Sequence, residues 1–247
     1  MSMDNYNISN LSETVYVIIE SDSWNVKPNI YLILGSERHI VIDSGVGSGD
    51  LVGFIRKQPT FKDGNLLVIN TSNLAHLTGA NYQFSAVGKM GRSHKVEDLC
   101  ASGANQKYTQ LEQNSYQWEV NSYRVTRWLN DNETISLGNN ICLKVLFTPG
   151  ITPDSISLWY ESESRLFTGN LFYQIEPISL INVGSDLKQY ANSINRLLEL
   201  VQAQNQPAAV RYSAGVYDND QPCLPVFKIF QRFLYAVIIG TVTPTDQ

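Results

Sequence analysis

The chain has 247 residues, 43% of them hydrophobic and 17% charged, an apolar supply that suffices for a full core and excludes a disordered chain. Lys+Arg number 18 against 23 Asp+Glu, for a net charge of -5. That balance offers no obvious basic face to neutralise phosphates, which disfavours nucleic acid as a partner and leaves room only for a local patch.

In chain order, Met1 to Glu13 is polar and lacks the basic and apolar regions of a secretory signal. Thr14 to Ile19, Asn29 to Leu34 and His39 to Asp43 are short and rich in β-branched and aromatic residues, and they read as strands. Gly45-Val46-Gly47-Ser48-Gly49 breaks the pattern. It has neither the Lys-Ser/Thr ending of a P-loop nor Rossmann spacing, so it reads as a turn rather than a phosphate cradle. Ser48 offers a cap for a helix through Leu51-Val52 and Phe54-Ile55, and Leu66 to Asn70 reads as a buried strand. The stretch from about 93 to 132 is polar and aromatic, with Tyr108, Tyr116, Trp118, Tyr123 and Trp128 scattered through it. A short helix is expected near Val96 to Ala101, then irregular structure. Its aromatics line a groove or cover an edge.

Strand signals resume at Thr134 to Leu137, Ile141 to Phe147, Ser155 to Tyr160 and Arg165 to Thr168. Asp186 to Ala203 carries an apolar stripe of Leu187, Tyr190, Ile194, Leu197, Leu198 and Val201 at helical spacing. Ala208 to Tyr212 reads as a strand and Leu224 to Ile239 as an apolar helix. That helix docks on the body or forms an interface between chains. Its longest apolar run, Phe233 to Ile239, falls short of the roughly 20 residues that span a bilayer. Cys100, Cys142 and Cys223 are odd in number and lack C-x-x-C spacing, which fits free thiols in a reducing, cytoplasmic setting. No histidine or other base is visible beside any of them, so a thiol nucleophile is not the reading.

Three stretches together resemble the metallo-β-lactamase superfamily. Ile42-Asp43-Ser44-Gly45-Val46-Gly47 is similar to the family's I-D-[TS]-G turn. Val68-Ile69-Asn70-Thr71 through Gly79-Ala80-Asn81-Tyr82-Gln83-Phe84 stands where the family has T-H-x-H-x-D-H-x-G-G. Phe147-Thr148-Pro149-Gly150-Ile151-Thr152-Pro153-Asp154-Ser155, with Leu166-Phe167-Thr168-Gly169-Asn170 after it, is similar to H-T-P-G-H-T-P-G-S and the later L-F-x-G-D turn. The Tyr82-Gln83-Phe84 element and the length look closest to stand-alone hydrolases of the glyoxalase-like or acyl-coenzyme A thioesterase type. The resemblance implies an αββα sandwich of α/β (α+β) class, with two mixed sheets face to face and helices outside. It implies one such domain over 1–247, with an insertion around 93–132 and a C-terminal helix around 224–240.

The resemblance also implies a dinuclear zinc site, and here the chain departs from the pattern. In the register set by Gly79 and Tyr82-Gln83-Phe84, the two leading histidines fall on Ser72 and Leu74, the aspartate on His76 and the next histidine on Leu77. The T-P-G-H histidine falls on Ile151, the bridging aspartate on Asn170 and the last histidine on Ala214. The only histidines are His39, His76 and His94. Apolar residues give a dication no donor atoms, so no zinc or other cofactor is expected. Hydrophobic core is expected in its place, around His76 and Asn170. His76 then reads as a partly buried histidine bonded to a neighbour rather than a lone metal ligand, and Asp43 as a turn residue bonding backbone amides.

The expectation from these losses is a catalytically inactive pseudoenzyme, a binding, structural or regulatory subunit beside a protein partner. That partner would be an active paralogue, a second copy or a larger assembly. The alternative is a hydrolase of thioesters or related esters, rebuilt around His76 without a strongly held metal. A second alternative is a small-molecule sensor using the former substrate pocket.

Overall fold

A computed structural model of the chain describes residues 5–61, 64–85, 96–111, 119–175 and 177–242. His94, Tyr116 and Trp118 lie outside them. The first sheet opens with strands β1 (Tyr6–Asn10), β2 (Val15–Glu20), β3 (Asn29–Ile33) and β4 (Arg38–Ile42) as an antiparallel meander. It continues in parallel with β5 (Asn65–Ile69), β6 (Val96–Ser102) and β7 (Arg127–Leu129). Parallel neighbours need crossover connections, and these carry helices α1 (Leu51–Arg56), α2 (Ala75–Thr78), α3 (Asn81–Phe84) and α4 (Gln106–Thr109).

The second sheet holds β8 (Thr134–Gly138), β9 (Ile141–Phe147), β10 (Ile156–Tyr160), β11 (Arg165–Gly169), β12 (Arg211–Ala214) and β13 (Gln221–Pro222). All its pairs are antiparallel except β11 with β12, and that parallel pair is bridged by α5 (Leu187–Gln202). Helix α6 (Cys223–Ile238) follows.

Strand alternation builds the layers. Tyr31, Ile33, Ile40 and Ile42 meet Leu143, Val145, Leu158 and Phe167 between the sheets. The other faces of the same strands turn Leu32 and Val41 toward Leu51, Val52 and Ile55 of α1. On the far side, Tyr190, Ile194, Leu197 and Val201 of α5 pack with Tyr212 and with Phe227 of α6. The result is the expected αββα sandwich with mixed sheets inside.

Three local expectations are corrected. Val96–Ser102 is a strand rather than a helix: Leu99, Cys100 and Ala101 are all buried because a parallel strand inside the sandwich is covered on both faces. With β7, it makes part of the 93–132 stretch an element of the first sheet rather than an insertion upon it. The cap of α1 is Asp50, whose Oδ1 accepts from Gly53 N at 2.9 Å, not Ser48. Residues 207–209 form a 3-10 turn before β12 begins at Arg211.

Candidate active site at the C-terminal strand ends

In sandwiches with parallel strands, loops at the carboxyl ends of those strands gather functional groups. Here β4 ends at Asp43, β5 runs into Asn70-Thr71-Ser72, β11 ends at Gly169-Asn170 and β12 at Ala214-Gly215. Backbone contacts join these ends, the first within the second sheet and the other two across the sheets. Gly215 N donates to Gly169 O at 2.7 Å, Asn29 N to Gly215 O at 2.7 Å and Ile156 N to Thr71 O at 2.8 Å. A side chain at Gly169 would stand 2.3 Å from Thr71 Oγ1, so the two sheets close tightly at this seam.

Asp43 sits in the left-handed region, with φ 60°, a conformation that Asp tolerates at a turn. It bonds across to the next strand end rather than within its own turn: Oδ1 accepts from Thr71 N and Oδ2 from Thr71 Oγ1, both at 2.8 Å. Burial pushes its carboxyl up to about 7, against the two Thr71 bonds that lower it. Behind it, Asn70 and Asn81 exchange amide bonds at 3.1 and 2.9 Å. Ser44 and Asn70 both reach Leu77 O, which fixes α2 over the strand ends.

The candidate positions converge only in part. His76 lies in α2 and Asn170 just past β11, and His76 Nε2 is 3.2 Å from Asn170 Oδ1. Burial lowers the affinity of this imidazole for a proton, against the Asn170 bond that raises it. With Asn170 Oδ1 accepting, the proton stands on Nε2 and the lone pair on Nδ1. Leu74, Leu77, Ile151 and Ala214 are all buried. Ile151 and Ala214 belong to the cluster around Tyr190 and Leu171, while Leu77 Cδ2 lies 2.8 Å from the point where a Cβ on Gly215 would stand. The Ser72 hydroxyl is buried with no hydrogen-bond partner among the described residues.

The donor set does not fit zinc. Zinc takes imidazole, thiolate or carboxylate ligands, and no group of three or more His, Cys, Asp or Glu converges among the described residues. Cys100, Cys142 and Cys223 are free, and burial pushes Cys100 and Cys223 up to about 12. Neither of those two is a thiolate nucleophile at neutral pH.

Two features escaped sequence reasoning. Asp154, buried, accepts from Asn73 N at 2.9 Å, Thr109 Oγ1 at 3.0 Å and Thr152 Oγ1 at 2.7 Å. It ties the β9–β10 loop to β5 and α4, and the Thr152-x-Asp154 spacing was the only local sign of it. The second is Tyr173, buried, whose hydroxyl has no partner among the described residues. Nothing in the sequence around it marks that role.

The comparisons with known proteins agree with this geometry as a fold. A solved metallo-beta-lactamase from Pontibacter korlensis superposes with a TM-score of 0.68 at 16% identity, over 93% of this chain and 99% of that one. At such identity the likeness concerns the fold alone. Among curated proteins, the chain is 29% identical over 196 residues to acyl-coenzyme A thioesterase MBLAC2 of Homo sapiens, covering 71% of this chain and 68% of the relative. The Bos taurus protein of that name matches to the same extent. These relatives carry the names of enzymes and correct the expectation of an inactive pseudoenzyme: loss of the zinc ligands alone does not make this chain a non-enzyme. The model of the metallo-beta-lactamase superfamily matches residues 78–215, a span from α2 to β12 that holds Ile151, Asn170 and Ala214. On that match and the αββα sandwich together, the chain belongs to the metallo-β-lactamase superfamily.

Proposed function

We propose that the chain is a hydrolase of acyl thioesters working from the rebuilt site around His76, without zinc. The observation that carries this reading is the His76–Asn170 contact at the strand ends, in a chain whose curated relatives are named acyl-coenzyme A thioesterases. Hydrolysis of a thioester needs a base to take a proton from water as its oxygen bonds to the carbonyl carbon. The carbon–sulfur bond then breaks and the thiolate leaves. A neutral imidazole held in one tautomer is such a base. Asn170 holds the Nε2 proton, so Nδ1 carries the lone pair, and burial keeps the ring neutral.

General base catalysis by one histidine contributes roughly 10²–10⁴-fold, so a slow enzyme is expected. The test is release of free thiol from acyl-coenzyme A by the purified chain and its His76→Ala variant. Turnover in the wild type that falls at least about a hundredfold in the variant supports the reading. Turnover equal in the two proteins assigns the chemistry elsewhere.

A further inference from the structure

Directly after Asn170, the chain runs through Leu171, Phe172 and Tyr173 into an apolar groove. Its volume is ≈ 750 Å³, and its far wall is α6, with Val226, Ile229, Phe230, Phe233 and Val237. Sites for small molecules are of about 300–1,000 Å³, mostly apolar, with a few placed polar groups, and this groove is of that kind. The near wall is pinned. Leu171 N donates to Thr168 O at 3.0 Å, Tyr190 Oη donates to Leu171 O at 2.7 Å and Gln174 N donates to Asp218 Oδ2 at 2.8 Å.

Ile229 and Phe233 on the α6 wall are among the exposed large apolar side chains described. An apolar occupant of the groove would cover them. Tyr173 lines the same groove, and its ring packs edge-on against Tyr217 at 5.5 Å. Its hydroxyl is buried, and burial first, with the charges of Tyr217 and Asp43 after it, raises its pKa well above the ordinary tyrosine value. A buried donor left unpartnered carries a desolvation cost that an acceptor on a ligand would relieve.

We infer that this groove takes the fatty acyl chain of the substrate and that the Tyr173 hydroxyl donates to the carbonyl oxygen at its head. The inference rests on the thioesterase reading for its substrate class. It rests for its place on the short segment 170–173, which joins the histidine's partner to the groove. The chain length would then decide affinity, and Tyr173 would position the carbonyl beside His76.

The experiment measures equilibrium binding of a dansyl-labelled undecanoic acid by fluorescence, beside hydrolysis of butyryl- and palmitoyl-coenzyme A. The proteins are the full chain and its Tyr173→Phe, Leu180→Trp and Phe233→Asp variants, each first checked for an unchanged melting profile. Saturable binding is expected, weakened about tenfold or more by Leu180→Trp and Phe233→Asp and by roughly 3–10-fold by Tyr173→Phe. Palmitoyl thioester is expected to be favoured over butyryl in kcat/KM. Absence of probe binding overturns the inference, as does binding indifferent to all three substitutions. Binding that only Tyr173→Phe leaves unchanged overturns the assigned role of the hydroxyl. A concentration-dependent dimer broken by Phe233→Asp, with no probe bound, gives the groove to a second copy of the chain. Probe binding without turnover leaves the groove standing and removes the hydrolase reading, whereas turnover blind to chain length and groove substitutions does the reverse.

Discussion

Asp43 gives both of its carboxylate oxygens to Thr71, one to the backbone N–H and one to the hydroxyl, each at 2.8 Å. The pair joins the ends of β4 and β5 beneath the candidate site. Its cost depends on pH. The folded-state value is raised to about 7 by burial, against about 3.9 in an unfolded chain. Below about 4 the group is protonated in both states, and it stabilises the fold relative to its ionised form. That advantage is lost as pH rises and is gone above about 7, for a total of up to about 4 kcal/mol. Asp43→Asn, which keeps an acceptor for Thr71, is expected to remove this slope. Urea denaturation at pH 5 and pH 8 checks it: the wild type loses more stability between the two than the variant does. Equal slopes would mean Asp43 stays ionised throughout.

His76 has the opposite sign. Its folded-state value lies below the ordinary imidazole value of 6.5, so the folded protein holds the neutral ring while the unfolded chain takes up a proton. Stability is therefore lost as pH falls below about 6.5. Thioester hydrolysis is expected to rise with pH through a value below 6.5 and to be level near neutrality. Asn170→Ala, which frees Nε2 and loosens the tautomer, is expected to lower kcat by about tenfold and to shift that inflection. An unchanged profile would sever Asn170 from the base.

How much of this was legible beforehand divides along a physical line. Ile42 to Gly47 and Thr148 to Ser155 are local turns whose residues are readable as motifs, and the resemblance they carry to the metallo-β-lactamase superfamily implied the sandwich. The donor loss was legible too, since Leu77, Ile151 and Ala214 cannot ligate in any conformation. Strand β6 was misread because Leu99, Cys100 and Ala101, successive and all buried, give no period to separate strand from helix. Strand β1 was missed because most of it is polar: Tyr6 is its one buried residue, and pairing with β2 supplies the rest. Thr71, the partner of Asp43, and Asn73 and Thr109, partners of Asp154, stand 28 to 81 residues away in sequence and are brought up only by the folded strand ends, which no single stretch encodes.

The Gly45-Val46-Gly47-Ser48-Gly49 loop does cradle an acidic group, and it is the chain's own: burial raises the pKa of Glu20, against the loop N–H bonds that lower it. The Glu20 carboxylate, fully buried, accepts from Val46 N at 2.7 Å and Ser48 N at 2.5 Å. Glu20→Ala strands both donors, and an unsatisfied buried donor costs about 1–3 kcal/mol. A loss of about 2–4 kcal/mol is expected from the pair, with Glu20→Gln losing less because its carbonyl still accepts. Thermal melts of the two variants check the order, and a larger loss in Glu20→Gln would place the effect outside hydrogen bonding.

Gly79 lies against the same loop: a Cβ there would stand 2.2 Å from Val46 O and 2.3 Å from Val46 C. Both are backbone atoms, pinned by the 2.7 Å bond from Gly79 N to Gly45 O, so neither can swing aside. Gly79→Ala is expected to cost about 3 kcal/mol through overpacking. The displaced helix α2 carries His76, so hydrolysis should fall with stability. A variant as stable as the wild type would show that α2 is free to shift.

The last prediction concerns the metal. An ion placed among Leu77, Ile151 and Ala214 would shed water and meet carbon, and His76 and Asn170 together supply too few donors to compensate. Elemental analysis after incubation with zinc and desalting is expected to find well under one ion per chain. Chelator treatment is expected to leave both thioester turnover and melting temperature unchanged, since an ion held only by the folded state would raise that temperature. A retained stoichiometric ion, with turnover lost on chelation, would mean that ligands outside the described residues complete the site. It would make His76 a ligand in place of a base.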